Sequence, residues 1–409
     1  MGQDTLVVAG KLLLPEREAV LERQGILVRD GLIVAVEPLG ASTRADRVID
    51  LGGMTVLPGL IDCHTHLTLQ HEMKDIMEQL RKTPAQCAFE SIPNARLKLL
   101  SGFTTVREAG SYWAFVDLAL REAIARGDVL GPTVLAPGAM ITMTGGAGAL
   151  TGLAPDIPLP PMLRYGKANG IAGLQERVRD VASHGADVIK IFASGAIISH
   201  GRNLPTSCEY SVEELRAAVE EAKRLGLKVM AHAHSATAIR NAVEAGVASI
   251  EHGTMLDEET ATLMKSRGTF LVPTLSVRDC MGEGSHLDAE FLAKAKAVVS
   301  HHGTAFQHAV RAGVRVALGS DSVVCPHDTG AREFHYMVEH GMSPMEAIRA
   351  ATTHAAELLG EPRIGSVAPG MKADLVAVRG DPVSNIALLS DIAFVMKGGV
   401  VHKGADGKA

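Results

Sequence analysis

Two histidines separated by a single residue close the run "VLPGLIDCHTHL", and a second such pair closes "LKVMAHAHS". Side chains alternate between the faces of an extended strand. His64 and His66 therefore share one face, as do His232 and His234, with Ala231 and Ala233 turned the other way. Imidazoles converging on one point are a common way to hold a transition metal. Two further apolar runs end in groups of the same kind, "SIEHG" in His252 and "ALGSDS" in Asp321. The run "GADVIKIFAS" places Lys190 among β-branched and aromatic neighbours, where an ammonium must lose its charge, find a partner or reach solvent. A protonated amine has no lone pair to give a metal. A neutral one that adds carbon dioxide becomes a carbamate, an anion whose two oxygens can bridge a pair of dications. Taken singly, each of these residues fits an ordinary packing or surface role.

The elements that must position them repeat. An amphipathic helix, a glycine and a short apolar strand recur in "ERVRDVASHGADVIKIF", "AVEEAKRLGLKVMAHAH", "IRNAVEAGVASIEHG", "TLMKSRGTFLVPTLS" and "AFQHAVRAGVRVALGSD". The glycines (Gly102, Gly185, Gly226, Gly246, Gly268 and Gly313) stand where a helix end takes a left-handed residue. Ser211 with Glu214, and Ser343 before Pro344, mark helix starts. Helices alternating with apolar strands make a parallel sheet covered by helices. About eight such units are the number of a (β/α)8 TIM barrel, an α/β fold whose active sites gather at the C-terminal strand ends. A doubly wound open sheet is the alternative, but no GxGxxG follows the first strand. Both chain ends instead read as short alternating strands. The expectation is a small β-sandwich built from residues 1–57 and 361–409 around a barrel of residues 58–360. The irregular stretches near 145–170, 198–210 and 322–332 then become loops at the catalytic face.

Composition narrows the classes. The chain has 409 residues, is 46% hydrophobic and carries a formal charge of −6. That suits an enzyme-sized globular protein, and not a nucleic-acid binder or a disordered chain. No apolar stretch is long enough to span a membrane, and the N-terminus lacks the build of a signal peptide. Cys63, Cys87, Cys208, Cys280 and Cys325 are odd in number and scattered, which reads as reduced thiols in the cytoplasm.

The ordered set "VLPGLIDCHTHL", "TTVREAG", "ADVIKIFASG", "VMAHAHS", "SIEHG", "LGSDS" and "GSVAPGMKADLVAV" resembles the amidohydrolase superfamily over nearly the whole chain. The likeness is to its prolidase-like and imidazolonepropionase-like branch, ochratoxin-type amidohydrolases included. The resemblance implies a binuclear zinc centre. His64, His66 and Asp321 would hold one metal, His232 and His252 the other, and carboxylated Lys190 would bridge both. It further implies attack by a metal-activated hydroxide on an amide carbonyl, with Asp321 as both ligand and acid/base. The substrates expected are small-molecule amides: N-acyl amino acids, dipeptides, or xenobiotics such as mycotoxin amides and arylureas. A homo-oligomer is expected as well.

One stretch departs from the pattern. Dipeptidase-like relatives read TGGHG after the third strand, whereas this chain reads "TMTGGAGAL", with Ala147 in the histidine's place. Substrate contacts then fall to His234, Tyr210 and Arg202, with Ala147 leaving a roomier wall. Cyclic-amide hydrolysis of the imidazolonepropionase or hydantoinase kind is the alternative chemistry. A mononuclear deaminase would carry a glutamate three residues after the strand-five histidine, where this chain has Ser235. A non-catalytic scaffold would have lost ligands that this chain keeps.

Overall fold

The computed structural model describes residues 4–405 apart from 41–44, 155, 201, 202, 283 and 284. Parallel strands Leu60–Thr65, Phe103–Glu108, Thr133–Leu135 (resumed at Met140–Ile141), Ile189–Phe192, Val229–Ala233, Ser249–His252 and Phe270–Val272 follow one another, with intervening helices. They form two ladders joined at two seams. At one, the third strand breaks at Pro137-Gly138, pairing with the second strand before the break and with the fourth after it. The other is closed by the segment 316–322, which bridges Leu271 through Val316 and Thr65 through Ser322. Hydrogen bonds from Cys63 N to Leu318 O (2.7 Å) and from Asp321 N to His64 O (2.8 Å) complete that side. The result is the expected (β/α)8 barrel.

The local signals act as their chemistry requires. Ser211–Glu214 and Ser343–Glu346 are reciprocal capping boxes, and Thr83–Gln86 is a third. Gly246 and Gly313 end their helices at φ +93° and +69°, angles at which a Cβ would be strained. Ile189, Ile191, Ala231, Ala233 and Ile250 pack towards the helices in the main core. The polar residues between them therefore face the barrel interior, as the alternation of strand side chains demands.

The two chain ends meet in one seven-stranded sheet. The C-terminal strands Leu375–Val378, Phe394–Lys397 and Val400–Lys403 continue the N-terminal set through Arg47–Pro58. The sheet curls until Leu32 bridges Lys372, enclosing a second core that includes Val7, Leu12, Ile26, Leu375 and Phe394. No described helix is long and apolar enough to cross a membrane.

One expectation fails. Cys280 and Cys325 form a disulfide, with Cα atoms 5.6 Å apart, while Cys63, Cys87 and Cys208 are free. The two half-cystines are 45 residues apart, in the loops after the seventh and eighth strands. Barrel closure makes those loops neighbours, so no local spacing announces the pair. Cysteine usage therefore gives no support to a reducing compartment.

Candidate metal centre and active site

A cavity lies at the C-terminal ends of the barrel strands. Its floor carries His64, His66, Lys190, His232, His234, His252 and Asp321. Leu69, Met140, Phe192, Ile197, Val277 and Val323 are among its apolar walls. A polar floor under apolar walls is the usual composition of a small-molecule site.

Each histidine proposed as a metal ligand has one ring nitrogen engaged by the protein. His64 Nδ1 lies 2.7 Å from Glu251 Oε2, and His66 Nδ1 lies 2.8 Å from Gly110 O. His252 Nδ1 is 2.8 Å from Thr274 Oγ1, and His232 Nε2 is 3.3 Å from Gly195 O. The remaining nitrogens are left for the centre. The Nε2 atoms of His64 and His66 stand 3.5 and 3.4 Å from the same Asp321 oxygen. Buried His64 Nε2 has no hydrogen-bond partner, which is costly unless a ligand meets it. Ligand atoms of His64, His252 and Asp321 lie within 4.8 Å of one another, as do those of His232, His234 and His252. The donor set therefore fits divalent metal ions, imidazoles oriented by outer partners being the usual arrangement of such sites.

Electrostatics agree with that use. Burial, reinforced by neighbouring cations, holds His64, His232 and His252 well below the ordinary imidazole range. Burial brings His66 down to about 4 and His234 to about 3. All five are neutral near pH 7 and keep a lone pair. Lys190 does not snorkel; it is 1% exposed. Burial lowers its pKa, with Glu251 and Asp321 pulling the other way. The uncharged amine is thus brought closer to physiological pH. Burial raises the Asp321 carboxyl, with Lys190 opposing.

Two of the candidate ligands have unusual backbone. Strand alternation would put His252 on the face of Ile250, because Ser249 and Glu251 hydrogen-bond to each other on the opposite one. His252 instead has φ +70°, and Asp321 has φ +51°. Left-handed conformations at non-glycine residues are sparsely populated and cluster at functional sites.

Of the residues expected to meet substrate, Ala147 and His234 line the cavity. Ala147 packs with Met140, Phe192 and Ala196. Its loop is held by Glu209, which accepts from Ala147 N (2.6 Å), Met143 N (3.1 Å) and the Thr142 hydroxyl (2.6 Å). Burial nevertheless pushes that carboxyl up to about 7. Tyr210 is a correction, since it is buried in the helix–sheet core and its hydroxyl donates to Ala168 O at 2.9 Å. Arg202 lies outside the described residues.

Several supporting residues escaped sequence reasoning. Glu251 receives His64 on one oxygen and Arg107 Nη2 (2.9 Å) on the other, and Arg107 also donates to Cys63 O at 2.7 Å. Both sit inside quoted strand runs, "TTVREAG" and "SIEHG". A charged residue within a strand run, the feature that marks Lys190, marks these two as well.

The amidohydrolase family model matches residues 55–405. The chain is 34% identical to the ochratoxinase of Aspergillus niger over 370 residues, covering 85% of this chain and 76% of that one. A crystal structure of a Xaa-Pro dipeptidase with methionine bound in its active site superposes with a TM-score of 0.90 at 35% identity, covering 98% of this chain and 100% of that chain. The crystal structure of the A. niger ochratoxinase superposes with a TM-score of 0.86 at 30% identity, over 98% and 96% of the two chains.

Proposed function

The chain belongs to the amidohydrolase family and is a hydrolase of carbon–nitrogen bonds, and from that premise we propose that it works with two divalent metals, zinc by preference, on linear amides. His64, His66 and Asp321 would hold one ion and His232 and His252 the other, with Lys190 bridging them as its carbamate. To form the carbamate, the neutral Nζ lone pair would bond to the carbon of carbon dioxide, one C=O π pair would move onto oxygen, and one N–H proton would pass to water. The observation that carries this reading is the convergence of two imidazole Nε2 atoms on one Asp321 oxygen, beside the unpaired buried nitrogen of His64. When bound, such a metal pair acidifies a water and polarises the scissile carbonyl. Asp321 takes the proton of the attacking water and passes it to the departing nitrogen. Glu251 and Gly110 hold His64 and His66 in the tautomers that present Nε2. The apolar walls exclude water from the reacting groups.

The substrate class that fits best is an N-acyl amino acid, a dipeptide-like amide or a xenobiotic amide such as a mycotoxin amide or arylurea. Support comes from the apolar walls and from the ochratoxinase and Xaa-Pro dipeptidase relatives. Ser235, where a deaminase would carry its glutamate, caps the helix Ala236–Ala245. In the same reading residues 58–360 are the catalytic unit, and 1–57 with 361–409 are the supporting one. A hydrolysis screen of N-acyl amino acids, dipeptides, cyclic imides and arylureas on zinc-loaded protein tests the assignment. Turnover of cyclic imides alone would overturn the linear-amide reading.

Two results should follow. Glu251→Gln removes the charged partner of His64 and should weaken zinc affinity about 10- to 100-fold, as losses of outer partners usually do; competition with a chromogenic chelator measures it. Ala147→His should fill the wall beside Phe192, cutting turnover of bulky amides relative to small dipeptides by about 10- to 200-fold. Its metal content should not change. A wild type that prefers small polar dipeptides to every bulky amide would remove the basis for the roomy wall.

A further inference from the structure

A second lysine is more deeply buried than Lys190. Lys98, on the helix Pro84–Leu100, is 0% exposed and lies between Ala95 and Leu99 in the sequence of a core-facing helix surface. Its ammonium reaches Asp62 Oδ2 at 2.6 Å, Ser320 Oγ at 3.0 Å and Ser322 Oγ at 2.8 Å, and it sits 4.4 Å from the centre of the Phe103 ring. Gly330 leaves it room, because a Cβ there would come within 2.6 Å of Nζ.

The partners of this ammonium flank the active site. Ser320 and Ser322 stand on either side of Asp321. Asp62 accepts from the backbone N–H of His64 (3.1 Å) and of Ser320 (3.0 Å), and from the Ser320 hydroxyl (2.6 Å). Further bonds tie the same two segments, from Asp321 N to His64 O and from His66 N to Ser322 O (3.0 Å). The left-handed turn at Asp321 is therefore registered against His64 and His66 by one carboxylate and one ammonium. A buried ion pair of this kind gives little net stability over well-packed apolar residues, so stability alone does not account for it.

We propose that Lys98, acting through Asp62, Ser320 and Ser322, is a positioning residue that sets Asp321 against the His64–His66 pair. The proposal rests on the reading of Asp321 as the acid/base. Asp321→Asn is therefore run alongside: full activity in that variant would sink the reading itself, whatever Lys98 does.

The test is a neutral pair, Lys98→Met with Asp62→Asn, in the zinc-loaded full chain. Methionine keeps the stem volume, and asparagine keeps an oxygen for the two backbone donors. Melting temperature, metal content and KM should stay close to wild type. Turnover should fall on the order of 10²-fold, the size of effect a shift of about 1 Å can produce. Wild-type kcat in this folded, metal-loaded variant would refute positioning. Should the pair fail to fold, Ser322→Ala removes one hydroxyl from the ammonium at little steric cost. Its kcat should drop by about tenfold, consistent with the loss of one hydrogen bond to a charged group, with metal retained. An unchanged kcat there would overturn the proposal as well.

Discussion

Replacing Lys190 with alanine is expected to remove metal and activity together. The side chain is buried on the cavity floor among neutral imidazoles and Asp321, and burial already favours its uncharged form. Without an anionic bridge, two dications in one cavity repel each other in a medium that screens them poorly. Purified Lys190→Ala should carry well under the wild-type metal content by elemental analysis, with turnover lowered in step. Short carboxylic acids would supply the missing oxygens, so acetate or propionate should restore part of both. Full activity in Lys190→Ala without added acid would exclude the bridge. Full metal content with lost activity would point to a cationic role for the lysine instead.

Asp321→Asn should separate binding from turnover. Asparagine keeps an oxygen 3.4–3.5 Å from the His64 and His66 nitrogens but cannot take a proton. Metal should largely remain, while kcat falls by the 10²- to 10⁴-fold typical of a lost general base. The pH profile gives a second signature. Burial raises the Asp321 carboxyl in the metal-free chain, and a bound dication would oppose that by favouring the ionised form. Wild-type kcat/KM should rise from acid pH through an ionisation near neutrality, since a water held by such a metal pair would titrate at about pH 7. A wild-type profile flat from acid to base, or an Asn variant near wild-type speed, would contradict the role.

The Lys190, Asp321 and Lys98 experiments probe different distances from the reacting atoms. The first removes a group proposed to join the metals, the second a proton carrier, and the third only the frame around that carrier. Metal content distinguishes the first from the other two. Turnover at full metal content, read for Asp321→Asn, shows whether the proton carrier itself has gone.

The sequence by itself determined the order of the barrel, because its signals are local. Gly246 and Gly313 stop helices through the steric limits of a single residue, and Ser211 and Ser343 start them through hydrogen bonds three residues long. The face shared by His64 and His66, and that shared by His232 and His234, follow from the two-residue period of a strand. What lay beyond reach depended on closure. Strand period alone would have turned His252 towards the helices, and only its left-handed backbone, imposed by its surroundings, brings it to the centre. Glu251 meets His64 across 187 residues of sequence, Lys98 meets Ser322 across 224, and Cys280 meets Cys325 across 45. Tyr210, a substrate contact by its loop position, is drawn into the core by the Ala168 carbonyl. Periodicity and capping act over a few residues and are written in the chain. Which buried charge finds which partner is decided only when the eighth strand meets the first, since the low dielectric of the closed interior makes an unpaired charge too costly to keep.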